Sequence, residues 1–85
     1  MLPKPRTDVV FEWVDGGGVL LSLADELYFE LNEAGAVLWQ GLGEAENEAQ
    51  LCALLAQRYP EVPVPELAGD VSEFLTAVRE QGLVG

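Results

Sequence analysis

The side chains that carry most enzyme chemistry are scarce in this sequence. Histidine, the commonest general base and metal ligand, is absent. The single cysteine, Cys52, stands in the apolar run 51–55, where a free thiol commonly acts as a small hydrophobic side chain. Ser22 falls in the middle of a predicted strand with no base to activate it. Neither residue is therefore predicted to be a nucleophile.

Carboxylates are the one abundant class of reactive side chain. Fifteen acidic residues stand against four basic ones, for a net charge of −11. They fall mostly on predicted loops and polar helix faces, where solvation explains them better than acid–base catalysis does. No loop repeats acidic residues at the spacing of a calcium-binding EF-hand. We predict a protein that is not an enzyme and that holds no metal and no cofactor.

The charges are also unevenly distributed along the chain. Lys4 and Arg6 are followed by no basic residue until Arg58. Nucleic-acid affinity comes largely from Lys and Arg residues that neutralise phosphates, so this distribution disfavours a nucleic-acid partner. Two explanations of the acidity stay open at this point, namely solubility and a cationic partner.

Length and hydropathy bound the class of protein. One domain is expected of 85 residues, and a hydrophobic fraction of 49% is ample for a core. No apolar run approaches the roughly 20 residues of a transmembrane helix, and no charged-then-apolar leader opens the chain. We therefore expect a soluble cytoplasmic protein that is a monomer.

A strand that passes directly into a helix organises the predicted elements. Leu27, Phe29 and Leu31 alternate with Tyr28 and Glu30, which is the period of a half-buried strand. The next residue is an asparagine, a favoured helix N-cap, and apolar residues then recur at helical spacing as far as position 42. The pattern predicts a third strand over 27–31 and a first helix that begins after residue 32.

Two earlier strands precede this junction. Residues 8–14 and 19–23 are rich in strand-forming residues, and Asp15–Gly18 between them is a strong hairpin signal. Short connections join all three strands, which predicts an antiparallel meander with the third strand on an edge. Residues 1–7 contain two prolines and two basic residues and are predicted to form a flexible N-terminal tail. Residues 8–85 form the single domain.

Two further helices complete the chain. Asn47 and Gln50 have the spacing of a capping box, and Pro60 ends this second helix. The third helix begins with Pro65 at its first position. It ends before Gly82, which stands where a left-handed residue is favoured just past a helix. Three strands followed by three helices predict an α+β domain.

The third strand is the candidate binding surface. Edge strands are usually protected by Lys, Pro, a bulge or a cover, whereas residues 27–31 carry one charge, Glu30, among aromatic and leucine side chains. Such an edge can accept an extended peptide as an added strand. The alternative is that the edge is short or that the third helix covers it.

Several segments together resemble a known family. They are Leu20–Leu23, Tyr28–Glu33, Trp39, Asp70–Leu75 and Gln81–Val84. In this order they resemble the PqqD-like proteins, the RiPP recognition elements, which bind the leader peptides of ribosomally synthesised precursors. The resemblance extends from Val9 onward. It implies a winged helix-turn-helix-like fold in which a three-stranded antiparallel meander is followed by three helices. It also implies that a leader adds antiparallel to the third strand, in a groove walled by the third helix.

The resemblance implies that the domain presents a captured precursor to modifying enzymes. One setting, which we favour, is the leader-binding half of a split lasso-peptide leader peptidase, beside a separate cysteine protease and a cyclase. The other is PqqD itself, which serves a radical-SAM enzyme. A winged-helix DNA-binding regulator shares the topology, but the acidity argues against it. An acyl carrier protein is also small and acidic, but it is all-helical and needs a serine at a helix start.

The expected site residues are carried over from this family. The docking strand comprises Leu27, Tyr28, Phe29, Glu30 and Leu31, and the groove wall comprises Asp70, Val71, Phe74, Leu75 and Val78. Of the apolar residues of the third helix, we expect Val71, Leu75 and Val78 to face the groove, and Leu67 and Phe74 to face the core. Asp70 and Glu73 are the expected partners of Lys or Arg in the leader, with a plain solvent-facing role as the alternative for Glu73. Asn32, Trp39, Gly82 and Leu83 are assigned to capping and the core.

Overall fold

The computed structural model describes residues 2–85, which form three strands followed by three helices. The strands are β1 (Val9–Val14), β2 (Gly17–Ser22) and β3 (Leu27–Asn32). The helices are α1 (Glu33–Leu42), α2 (Glu48–Arg58) and α3 (Val64–Glu80). The predicted α+β order is confirmed. No helix within 2–85 is both long and apolar enough to cross a membrane.

The sheet is an antiparallel meander with β2 in the centre, so β1 and β3 are both edges. Gly16 has a φ of +81°, the left-handed conformation that the tight β1–β2 turn requires. Gly17 is needed for a different reason. A Cβ at this position would overlap the backbone carbonyl oxygen of Leu31 on β3. The backbones of β2 and β3 therefore approach closely at this position, and only glycine leaves room for that approach.

The register decides which side chains of β3 face the helices. Phe29 lies opposite the buried Leu20, and Leu31 lies opposite Gly18. Paired residues in an antiparallel sheet point to the same face. Phe29 and Leu31 therefore point to the helical side and pack against the core, whereas Tyr28 and Glu30 point to the uncovered face. Tyr28 is 75% exposed.

The helices bury the inner face of the sheet. α1 packs on β2 and β3, and α2 packs on both α1 and α3. Fully buried leucine and valine side chains dominate this core, and each contributes roughly 1.5–3 kcal/mol on burial. The largest of these fully buried apolar side chains are Leu20, Leu38, Leu42, Leu51, Leu55, Val71 and Val78.

Local capping fixes where the helices begin. The Asn32 side chain accepts a hydrogen bond from the Gly35 N–H at 2.8 Å, and the Asn47 side chain accepts one from the Gln50 N–H at 3.0 Å. The Gln50 side chain accepts from the N–H of Glu46, one residue before the position that a reciprocal capping box uses. α3 begins one residue earlier than predicted, so Pro65 is its second residue.

The end of α3 is closed as predicted. Gly82 has a φ of +70°. The Leu83 N–H donates to the Val78 carbonyl at 3.0 Å, and the Gly82 N–H donates to the Arg79 carbonyl at 3.1 Å. This pair of bonds is the Schellman motif. It satisfies two orphan carbonyl groups and turns the chain back toward the sheet.

The N-terminal segment differs from the flexible tail predicted for residues 1–7. Residue 1 lies outside the described residues, but Leu2 is only 6% exposed. The Arg6 N–H donates to the Leu83 carbonyl at 3.1 Å, and the Gly85 N–H donates to the Lys4 carbonyl at 2.9 Å. The two chain ends therefore pair as a short antiparallel bridge. Composition could not predict it, since the pairing partners lie at opposite ends of the sequence.

Candidate functional site

A trough runs between the β3 edge and α3. The C-terminal half of α3 lies beside the start of β3, and the N-terminal half lies beside its end. Two adjoining cavities form the trough. The chain-end cavity, about 440 Å³, is lined by Tyr28, Phe29, Glu30, Leu31, Ala77, Val78, Gln81 and Leu83. The middle cavity, about 280 Å³, is lined by Glu30, Leu31, Asn32, Ala34, Gly35, Leu38, Asp70, Glu73, Phe74 and Ala77.

The strand side of the trough is an open edge. β3 pairs with β2 on one side and with no other strand within residues 2–85. The exposure of its apolar side chains decreases along the strand. Leu27 is 53% exposed, whereas Phe29 and Leu31 are half-buried. Leu27 lines neither cavity. The other four predicted docking residues line the trough.

The helix side of the trough differs from the prediction for α3. Val71 and Leu75 are 0% and 2% exposed, belong to the core, and line neither cavity. Phe74, expected to face the core, lines the middle cavity while remaining only 7% exposed. Val78 lines the chain-end cavity, as expected. The structure thus places Val71 and Leu75 in the core and not on the trough, because α3 is rotated by about one residue from the predicted orientation.

The rotation brings residues to the trough that the sequence analysis missed. Ala77 lines both cavities, and Gln81 lines the chain-end cavity. Positions 74, 77 and 81 share one helical face at spacings of three and four. A small residue on that face, between a phenylalanine and the helix end, was the signal in the sequence. Ala77 matters because a larger side chain there would fill the space between helix and strand.

The middle cavity combines an apolar floor with an acidic rim. Phe74, Leu31 and Leu38 supply apolar surface, and the rim carries three carboxylates, Glu30, Asp70 and Glu73. The ion pairs found within residues 2–85 lie elsewhere, between Arg6 and the carboxylates of Asp8 and Asp25 and between Arg58 and Glu33. Asp70 and Glu73 thus lie beside the groove, as predicted, and neither belongs to one of these ion pairs.

The remaining reactive side chains have structural partners. Ser22 is fully buried, and its hydroxyl donates to Asp25 Oδ2 at 3.0 Å across the β2–β3 turn. Cys52 is half-buried and packs against the core. Within residues 2–85, no three or more His, Cys, Asp or Glu side chains are placed so that they could hold a metal ion together. The arrangement as a whole suits binding of an extended chain along β3.

Comparison with known proteins agrees with this geometry. No curated protein matches the sequence significantly. Among solved structures, "TbiB1 in Complex with the TbiA(beta) Leader Peptide" is 28% identical, with a TM-score of 0.80 over 95% of this chain and 93% of that chain. "Lasso peptide synthetase B1 complexed with the leader peptide" is 26% identical, with a TM-score of 0.80 over 96% of this chain and 95% of that chain.

The model of one protein family, coenzyme PQQ synthesis protein D (PqqD), matches residues 17–84. This range begins at β2 and includes β3, all three helices and the motif that closes α3. It therefore contains both walls of the trough. The chain belongs to the PqqD family.

Proposed function

We propose that this protein binds the leader segment of a ribosomally synthesised precursor peptide as an added antiparallel strand on β3. The observation that carries the proposal is the open β3 edge beside a preformed trough. Two structures similar to this chain along nearly its whole length are complexes with leader peptides, which supports the same role here.

The geometry suits a division of labour between backbone and side chains. Backbone hydrogen bonds to an edge strand supply affinity for any extended peptide, and pockets for alternate side chains supply selectivity. Alternate side chains of a strand are about 7 Å apart along it. The two cavities adjoin along β3 and share Glu30, Leu31 and Ala77. Successive inward side chains of the leader would therefore enter successive cavities.

The protein acts as a binding partner and not as an enzyme, so its captured peptide has to be handed to other proteins. A lasso-peptide leader peptidase and cyclase are the favoured partners, because a similar structure is named lasso peptide synthetase B1. A second candidate is the role of a PqqD-type chaperone for a radical-SAM enzyme, which the family match supports. Neighbouring genes for a precursor with a protease and a cyclase would favour the first role. Cytoplasmic location stays a prediction.

A matched pair of variants tests the docking surface. Ala77→Trp places a large ring in the trough, whereas Thr76→Trp places it on the exposed side of α3, outside both cavities. The ligand is a synthetic leader of the cognate precursor peptide, titrated by fluorescence anisotropy. We expect Ala77→Trp to weaken binding at least tenfold, about 1.4 kcal/mol, and Thr76→Trp to leave it unchanged.

Amide hydrogen exchange locates the bound peptide independently. Leader binding should slow exchange on β3 and on the face of α3 that contains Ala77. Protection of β1, the opposite edge of the sheet, would place the peptide on the wrong side for this proposal. Equal affinities of the two tryptophan variants would likewise overturn it.

A further inference from the structure

Arg6 links the two sides of the trough at its chain-end cavity. On the helix side, the Arg6 backbone N–H donates to the Leu83 carbonyl at 3.1 Å, and the guanidinium Nη1 donates to the Gly82 carbonyl at 2.8 Å. Leu83 lines the chain-end cavity and is only 3% exposed. One residue of the N-terminal segment therefore holds the chain just after α3 ends through two hydrogen bonds.

The same side chain also holds the sheet. Its Nε donates to Asp8 Oδ1 at 3.0 Å and its Nη2 donates to Asp8 Oδ2 at 2.5 Å, which makes a bidentate pair. Asp8 is joined to the sheet, because its carbonyl accepts from the Leu23 N–H at 2.9 Å. Arg6 Nη1 also lies 3.8 Å from Oδ2 of Asp25, in the turn that leads into β3.

The shape of the guanidinium gives this link a fixed geometry. A guanidinium is planar and directs its N–H groups in a rigid fork, whereas a lysine ammonium is a single point charge on a flexible chain. The Asp8 carboxylate and the Gly82 carbonyl are thus held at set positions relative to each other. The distance between α3 and the sheet at the chain-end cavity therefore depends on Arg6.

Lys4, the other cation of the N-terminal segment, has different contacts. Its Nζ donates to the Ala45 carbonyl at 2.8 Å and to the Leu42 carbonyl at 3.4 Å, where α1 ends. A cation at this end of a helix stabilises the fold. Neither Leu42 nor Ala45 lines the chain-end or the middle cavity. Lys4 therefore supports the fold without contacting the walls of the trough.

The direction of the added strand decides which part of the precursor lies near this link. β3 runs from Leu27 to Asn32. An antiparallel strand beside it runs the opposite way, so its C-terminal end lies next to Leu27. The chain-end cavity lies toward this end of β3. In the proposed function, the last residues of the leader's added strand therefore enter this cavity, and the rest of the precursor leaves the protein there.

We propose that Arg6 is a positioning residue for the leader, which holds Gly82 and Leu83 at the distance from the sheet at which the chain-end cavity accepts the last residues of the added strand. Arg6 itself lines neither cavity, so it acts through the walls of the trough and not through contact with the peptide. This inference rests on the proposed function. Because coupling between two equilibria is reciprocal, a bound leader must also stabilise the contacts that Arg6 makes.

A double-mutant cycle between protein and peptide tests the positioning role. The protein variants are Arg6→Gln, Arg6→Lys and, as the control, Lys4→Gln. The peptides are a synthetic leader of the cognate precursor and a shortened form that lacks the last two residues of its strand-forming segment. Binding is measured by titration at a temperature where melting curves show every variant to be more than nine-tenths folded.

The expected loss depends on both the variant and the peptide. Arg6→Gln should weaken binding of the full leader about tenfold and leave that of the shortened leader unchanged. Arg6→Lys should recover only part of the loss, because it restores the charge but not the fork. Lys4→Gln should lower the melting temperature without changing either affinity. An equal loss for both peptides in Arg6→Gln would overturn the proposal, as would the same loss in Lys4→Gln.

Amide hydrogen exchange of the wild type tests the reciprocal effect. The Arg6 and Gly85 N–H groups donate to the Leu83 and Lys4 carbonyls, so their exchange measures opening of the N-terminal segment. Binding of the full leader should slow both amides about tenfold. Unchanged exchange at these two amides, in a complex that protects β3, would overturn the positioning role. Absence of protection on β3 would instead refute the proposed function.

Discussion

The orientation of α3 predicts that alanine substitution of two adjacent residues, Phe74 and Leu75, affects leader binding differently. Leu75 is 2% exposed and packs in the core away from the trough. Truncation of such a leucine to alanine costs about 2–5 kcal/mol, and a domain of this size has only about 4–13 kcal/mol in total. At 4–8 °C per kcal/mol, Leu75→Ala should lower the melting temperature by about 8–40 °C. Its folded fraction should keep wild-type affinity for the leader.

Phe74→Ala should affect stability and binding together. One side of the ring packs in the core, and the other side lines the middle cavity. Removal of a core phenylalanine costs about 3–5 kcal/mol, but here part of the new space joins the middle cavity, which is open to solvent, so we expect the lower end of that range. The lost apolar floor should weaken leader binding about tenfold or more, since 1.4 kcal/mol corresponds to a factor of ten.

The assay has to separate affinity from folded fraction. Circular dichroism melts give the stability of each variant, and leader titrations are then made at a temperature where both variants are more than nine-tenths folded. A larger affinity loss for Leu75→Ala than for Phe74→Ala, at equal folded fraction, would refute the orientation of α3 described above.

Three further predictions concern charge, pH and backbone packing. Leader binding should weaken modestly as salt rises, mainly through slower association, because the middle cavity carries three rim carboxylates. A Kd that does not change with salt would show that the acidic residues serve solubility and not leader binding. The hydrogen bond from Arg6 holds the pKa of Asp8 below its ordinary value of 3.8. This stabilisation is present above that pH and is lost as pH falls through the lower folded-state pKa. The difference in melting temperature between wild type and Asp8→Asn should therefore shrink below pH 4. Gly17→Ala should destabilise the fold, because the added Cβ would overlap the Leu31 carbonyl oxygen. Gly69→Ala should stabilise the fold by about 0.5–1 kcal/mol, because Gly69 lies in α3 with open space around it. Urea unfolding measures the free energy of unfolding of both variants.

The features that the sequence predicted correctly depend on short stretches of chain. Asn32 and Asn47 cap their helices through N–H groups three residues away, and Gly82 closes α3 through carbonyl groups a few residues back. The edge position of β3 followed from short loops alone, since strands joined by such loops pair in order. These signals are local, so they do not depend on how distant parts of the chain pack.

The features that it missed depend on how distant elements meet. The apolar residues of α3 span too wide an arc for periodicity to say which of them faces a trough and which faces a core. That choice depends on where α1 and α2 lie against α3, and these positions are set by packing. Gly41 illustrates the point, because a Cβ there would overlap the Leu54 side chain, so α2 approaches α1 closely at that position. No local pattern encodes such an approach.

The two ends of the trough are held by different parts of the chain, and this bears on how a peptide is bound. At the Leu83 end, the N-terminal segment pairs with the chain terminus, and Arg6 donates to the Gly82 carbonyl at 2.8 Å. Beyond the other end, Tyr59 at the end of α2 donates to Glu33 at the start of α1. The C-terminal end of α3 is thus tied to the segment that leads into β1, and α2 is tied to α1, before any ligand arrives. Because ordering a binding surface costs free energy, a wall fixed in advance leaves more of the contact energy for affinity. The peptide itself then becomes the main element that has to be ordered, and selectivity rests on which of its side chains fit the cavities along a rigid wall.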